Sequence, residues 1–457
     1  MSFKTTGVLA VILIALGAFW YVYDYKGESV REEKAKLAKR MFQFEAGKVR
    51  RAFVATGDTM VVCERQPDST WAITSPVRTG ADRWTVDLIV SNVAELDRQE
   101  TIAESASPET LSDYGLRRPS FRVYLDGAGI DTILAGDDNP TGGFTYVKLA
   151  GRPEVLAVGA WQVNRMRKTL YDLRDKTALP FEREQVGRVE VSAPDGQVVL
   201  TRNGQVWQME RPVVDRADED AVSRLLTNLS GSKVRAFKDE APADLGRYGL
   251  SPPKVSVTLF EGGAMTRKTL DVGDTTGGWR YARYSGRPPV FAVDTSFVNI
   301  IAAGMPYYRH KAFAEFDRER VTRVELVRPD STLVCERDTS GAWNVVRPFG
   351  KALDREKGDA LLTSLNALKA RAFVAERADR PGTYGFDRPA LVARLWSKGG
   401  AVLTLTLGRK VGEYLYARVD RKETVYQVDE RTLQDLWPAL KERSPEATAR
   451  PDSAKKG

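Results

Sequence analysis

Residues 206–212 read Val206-Trp207-Gln208-Met209-Glu210-Arg211-Pro212, a polar–apolar alternation closed by a proline five residues after the tryptophan. Asn203-Gly204 stands just before it and an apolar run, 198–202, before that, so the stretch reads as one arm of a β-hairpin with a tight turn. Six residues past the proline, Asp218 stands where an N-cap belongs, ahead of Val222, Leu225, Leu226 and Leu229 at helical spacing. The same succession occurs 136 residues earlier as Trp71, Pro76 and Asp82, and 136 residues later as Trp343, Pro348 and Asp354. Solenoid repeats run to roughly 20–50 residues. A period this long means small domains in series.

Other positions keep the register. Tyr114-Gly115-Leu116, Tyr248-Gly249-Leu250 and Tyr384-Gly385-Phe386 each lead to a proline five residues past the tyrosine, namely Pro119, Pro253 and Pro389. Gly136, Gly273 and Gly408 then end an apolar run, and Tyr146, Tyr281 and Tyr416 follow. In the middle copy, strands are expected at 186–191, 198–202, 206–209, 255–260, 268–272, 281–284 and 290–293, with helices over 218–230 and from Asp294 onward. Each copy is thus an α+β domain of about seven strands and two helices, with a mostly antiparallel sheet. The copies fall at 42–177, 178–313 and 314–443, and the Pro-, Ala-, Ser- and Lys-rich tail 444–457 reads as disordered.

Ahead of the copies, residues 7–23 form an uncharged run, GVLAVILIALGAFWYVY, at the short end of a spanning helix. Trp20, Tyr21, Tyr23 and Tyr25 cluster at its far end, where amphipathic rings favour headgroup level. We read 1–25 as a transmembrane anchor. A cleaved leader is the rival, with Ala15-Leu16-Gly17 as a small-x-small site, but bulky aromatics follow where a mature chain would start. Residues 26–41 read as a charged stalk helix, with Glu32 and Lys36 on one face. Lys26, Arg31, Lys34, Lys36, Lys39 and Arg40 would hold the body in the cytoplasm by the positive-inside rule, whereas scarce cysteine favours the other side.

Composition narrows the chemistry. One His and two Cys among 457 residues argue against Cys/His zinc sites, a disulfide scaffold and triads with a His base. A formal charge of +8 is too dilute for a nucleic-acid stripe. The expectation is no enzyme, no cofactor, no metal and no catalytic residue.

For residues present three times, a structural role comes first. Each tryptophan is expected in a core, the alternative being a ligand-stacking platform. Asp82, Asp218 and Asp354 are expected as helix caps, the alternative being metal or acid–base chemistry. The Tyr-Gly-Leu/Phe segments are expected as turns whose Gly takes a positive φ or permits close packing, the alternative being a peptide groove. The glycine-rich segments at 136–143 and 273–278 lack P-loop endings and read as hairpin turns. Basic-x-basic steps at Arg174-Asp175-Lys176, Arg309-His310-Lys311 and Lys441-Glu442-Arg443 are expected to complement helix dipoles, with anionic glycan or lipid as the alternative. Cys63 and Cys335 are expected as buried thiols on separate domains.

The unit formed by Trp71 to Pro76, Asp82 and Tyr114-Gly115-Leu116 to Pro119, with its two echoes and the amino-terminal apolar run, resembles the domain-of-unknown-function family numbered 4340. The resemblance covers residues 42 to about 440, with Phe386 in place of Leu as the departure. It implies an anchored bacterial envelope protein with no established reaction, often encoded beside gliding-motility-type ABC transporters. The expected protein is therefore a single-pass inner-membrane accessory subunit with its body outside the cytoplasm, binding such a transporter or its auxiliary subunit. A glycan-binding module with avidity from triplication is the alternative.

Overall fold

The computed structural model describes residues 3–21 and 37–442. Helix α1 (Phe3–Trp20) covers most of the apolar run, and in it the side chains of residues 12–20 are described. Among the described residues no helix is long and apolar enough to cross a membrane. The expected stalk lies largely outside the described residues, as does the tail.

Among the described residues the body has three antiparallel β-sheets of nine, nine and eight strands, each with its own helices, and one two-stranded pair. The first contains β1 (Arg51–Thr56), β2 (Thr59–Arg65), β3 (Trp71–Ser75), β4 (Thr79–Gly80), β5 (Arg98–Ala103), β6 (Phe121–Asp126), β7 (Ile133–Asp138), β8 (Phe144–Leu149) and β9 (Val155–Gly159), in spatial order β4-β3-β2-β1-β6-β7-β8-β9-β5. The second repeats that order strand for strand. In the third, the counterpart of β4, Lys351–Ala352, leaves the sheet and pairs with Lys441–Glu442. The expected seven strands miss the two-residue edge strand, too short to carry a periodicity, and the strand after the long helix, Ala236–Asp239 in the middle copy, whose AFKD sequence shows no apolar alternation.

In the first repeat the long helix is α2 (Arg83–Ala94), followed by α3 (Pro108–Asp113), α4 (Ala160–Met166) and α5 (Leu170–Leu173), so two helices become one long and three short. Its Val86, Ile89, Val90 and Val93 are buried at the i, i+3, i+4, i+7 spacing of one helix face. They share a core with Trp71, Ile73, Phe121 and Val123. The third repeat builds its equivalent core from Trp343, Leu361, Leu362, Leu365 and Leu405.

The chain falls into two compact units. One takes in residues up to Ala178 with Ser232–Asp244 and Arg287–Val293; the other takes in Leu179–Gly231, Leu245–Gly286 and the residues from Asp294 onward. The stretch 178–313 contributes segments to both. The reason is local: two of its segments close around residues 171–177.

Candidate functional site

The repeated tryptophans are buried, with 2%, 7% and 4% of Trp71, Trp207 and Trp343 exposed. Trp71 Nε1 donates to Asp87 Oδ1 at 2.8 Å and Trp343 Nε1 to Asp359 Oδ1 at 3.2 Å, while Ser223 holds that position in the second repeat. Rings so enclosed offer no face to a sugar. The well-exposed Trp84 and Trp161 are not repeated, since Asp220 and Ser296 stand at the matching positions. Pro76, Pro212 and Pro348 all follow cis peptide bonds, each beside a register shift between the strand carrying the tryptophan and its neighbour.

Asp82 accepts a hydrogen bond from the Thr85 amide and Asp218 one from the Ala221 amide, which caps their helices. Asp354 holds the same place without a side-chain cap. Its carboxylate pairs instead with Lys441 at 2.8 Å, which lowers its pKa from the ordinary 3.8.

The three Tyr-Gly loops share one geometry. Gly115, Gly249 and Gly385 have φ of 68°, 65° and 74°, the left-handed region that glycine enters without a Cβ penalty. Across from each loop the sheet is bulged at Gly136, Gly273 or Gly408. A Cβ on those glycines would lie 2.1, 2.0 and 2.1 Å from the carbonyl oxygens of Tyr114, Tyr248 and Tyr384. In the first repeat the bulge turns the Asp137 amide onto the Tyr114 carbonyl at 3.0 Å. Tyr114–Tyr146, Tyr248–Tyr281 and Tyr384–Tyr416 then pack ring against ring with centroids 4.2, 5.0 and 5.1 Å apart. Pro119, Pro253 and Pro389 are half-buried where each chain enters the following strand. The loops are clamped to the sheet.

Of the side chains expected to complement helix dipoles, Lys176 does so, its Nζ donating to the Tyr171 and Asp172 carbonyls in the last turn of α5, but the two arginines do something else. Arg174, which ends α5, is 2% exposed, and its guanidinium lies over the Phe237 ring at 3.3 Å from the centroid. Nη1 and Nη2 donate to the two carboxylate oxygens of Glu240. Beside it, Tyr171 Oη donates to the Val234 carbonyl at 2.9 Å and Asp175 pairs with Arg287 at 2.7 Å.

Its counterpart Arg309, also 2% exposed, lies over Phe373 at 4.3 Å and donates to both oxygens of Glu376 at 2.7 and 2.9 Å. Here Nε also reaches Asp215 at 2.9 Å and Nη2 reaches Thr424 at 3.1 Å. Thr79 occupies the place of Asp215 in the first repeat, and Arg174 Nε is left without a partner. The planar fork suits bidentate pairing with a carboxylate, and the ring beneath shields the guanidinium from water. The joint was readable: Phe237 and Glu240 recur 136 residues later as Phe373 and Glu376.

In the third repeat Lys441, exposed, takes the matching place and turns to Asp354. His310 Nε2 lies 3.2 Å from Glu315 Oε2. Cys63 and Cys335 are free, and burial pushes each thiol up to about 12. Among the described residues no group of three or more His, Cys, Asp or Glu is placed to hold a metal ion.

No curated protein matches the chain. Among solved structures, the crystal structure of DNA polymerase sliding clamp from Pseudomonas aeruginosa with ligand is 8% identical over 87% of this chain and 95% of its own, with a TM-score of 0.13, a likeness that bears on neither fold nor function. A family described as "Domain of unknown function (DUF4340)" matches at residues 71–213, 207–389 and 343–444, each match beginning on one of the repeated tryptophans. With those matches covering most of the chain, the protein belongs to that family.

Proposed function

We propose that the protein is a membrane-anchored, non-enzymatic accessory or scaffold subunit of the bacterial envelope, whose repeats bind an ABC-type transporter or an associated auxiliary subunit. The observation that carries the reading is the pair of joints at Arg174 and Arg309. Each places a buried arginine, held over a ring and in a bidentate ion pair, where one repeat runs into the next. A chain that spends such contacts on its connections is suited to presenting surfaces in series. The anchor rests on the apolar run and on α1, whose Leu13, Ile14, Leu16, Phe19 and Trp20 are exposed. The envelope setting, a body outside the cytoplasm and the transporter partner come from what the family resemblance implies. The test is affinity purification of the full chain from detergent-solubilised membranes. Recovery of a transporter or auxiliary subunit well above background supports the reading, and recovery of neither sinks it. A reporter fused after Gly457 decides the side of the membrane.

A further inference from the structure

The first repeat has the same joint face as the other two, but residues 38–41 meet it where a preceding repeat's end does so in the others. In the filled joints, Thr177 bridges to Lys233 and Ala312 to Lys369; in the first repeat Arg40 makes the same antiparallel bridge to Asp97. The next position along the face is Val234 in the second repeat and Ala370 in the third, 1% and 4% exposed under the preceding segment. Their amides bond the carbonyls of Lys176 and Lys311 at 2.7 and 2.8 Å. In the first repeat that position is Arg98, and it is exposed. The stacking ring of Phe237 and Phe373 is replaced by Thr101. What is an apolar seat twice over is here a basic cavity of about 170 Å³, lined by Lys39, Arg40, Arg98 and Arg152 against one carboxylate, Glu154. Arg152 is shared with Asp131 at 3.3 Å, whereas no ion pair engages Lys39, Arg40 or Arg98 among the described residues.

We infer that this cavity seats the phosphate headgroup of an anionic membrane lipid and holds the first repeat against the bilayer surface. Charge complementarity selects an anion, and the volume suits a group the size of phosphate. Proximity selects the lipid: residues 22–36 can span at most about 50 Å between α1 and Leu37, so a tethered body keeps this face near headgroups. Anionic leaflets attract basic residues that come within about a Debye length, roughly 10 Å, of the surface. The inference rests on the anchor proposed above.

The experiment uses the full chain with vesicles of phosphatidylcholine alone, or of phosphatidylcholine with phosphatidylglycerol. Hydrogen exchange at 38–41 and 98–103 is expected to slow about tenfold in the second, corresponding to one or two cations engaged. R98Q and R98Q/R152Q, both changes at exposed positions, are expected to abolish the slowing while thermal unfolding stays unchanged. Equal exchange in both vesicle types overturns the inference and leaves the anchor standing. Failure of the chain to float with either vesicle overturns both. Equal protection by inorganic phosphate in phosphatidylcholine vesicles assigns the cavity to a soluble anion and overturns the lipid.

Discussion

Arg309 grips both carboxylate oxygens of Glu376, 67 positions further along, with its guanidinium over the Phe373 ring and only 2% of the residue exposed. The attraction works at low dielectric on the Arg side, but Glu376 keeps 46% of its side chain in solvent, so the two ends do not contribute alike.

Arg309→Ala therefore leaves a cavity and leaves Asp215 with Lys422 as its cation, and is expected to cost about 3–5 kcal/mol. Glu376→Ala leaves Arg309 its bonds to Asp215 and Thr424 and should cost about 2 kcal/mol. Urea unfolding of the two singles and the double gives the coupling, expected at about 1–3 kcal/mol. Additive singles would mean that the pair is incidental to the joint.

A second prediction concerns acid. Burial by itself would raise the Asp215 carboxyl, but its hydrogen bond from Arg309 and the charge of Lys422 outweigh this and hold it below the ordinary 3.8. The unfolded chain then takes up the proton at higher pH than the folded one. Asp215 stabilises fully above its unfolded pKa, and that contribution is lost as pH falls through the folded value. Between about pH 5 and about pH 2, wild type should lose more stability than Asp215→Asn. Denaturant titrations at stepped pH check this; parallel acid slopes would remove Asp215 from the electrostatics of the joint.

At the clamped loop, Gly273→Ala would set a Cβ 2.0 Å from the Tyr248 carbonyl oxygen, a contact with backbone that no rotamer relieves. A loss of about 3 kcal/mol or more is expected. Gly204→Ala is the control, because its φ of 63° is strained for Ala but its Cβ meets nothing within 4 Å. About 1 kcal/mol is expected there. Matching melting-temperature shifts for the two would show that the loop is not clamped.

Thiol chemistry offers the simplest check. With both thiols buried and raised to about 12, native protein should resist an aromatic disulfide reagent at neutral pH and yield two thiols once denatured. Rapid reaction of either cysteine in the native state would contradict its burial on the sheet.

Much of the architecture was legible because the repeat itself restricts the reading. A tryptophan, proline, aspartate and tyrosine–glycine pair that return every 136 residues must answer to one local structure, and alternation or helical spacing between them names the elements. The edge strands Thr79–Gly80 and Asp215–Arg216 were not legible, since two residues have no period. Nor was the failure of Asp354 to cap, which depends on Lys441, 87 positions away, taking its carboxylate.

The sequence by itself determined that the chain is threefold, α+β, poor in the residues of metal and triad chemistry, and led by an apolar run. Local patterns suffice for that, because strand, helix and turn preferences act over a few residues. Only the tertiary structure decided what the basic steps do. At Arg174 and Arg309 the cation is drawn out of water by a ring and a carboxylate more than sixty positions away. At the open face of the first repeat the matching seat holds Arg98, exposed. Charge is written in the sequence, but whether it is buried, paired or left facing solvent depends on which distant segment folds over it.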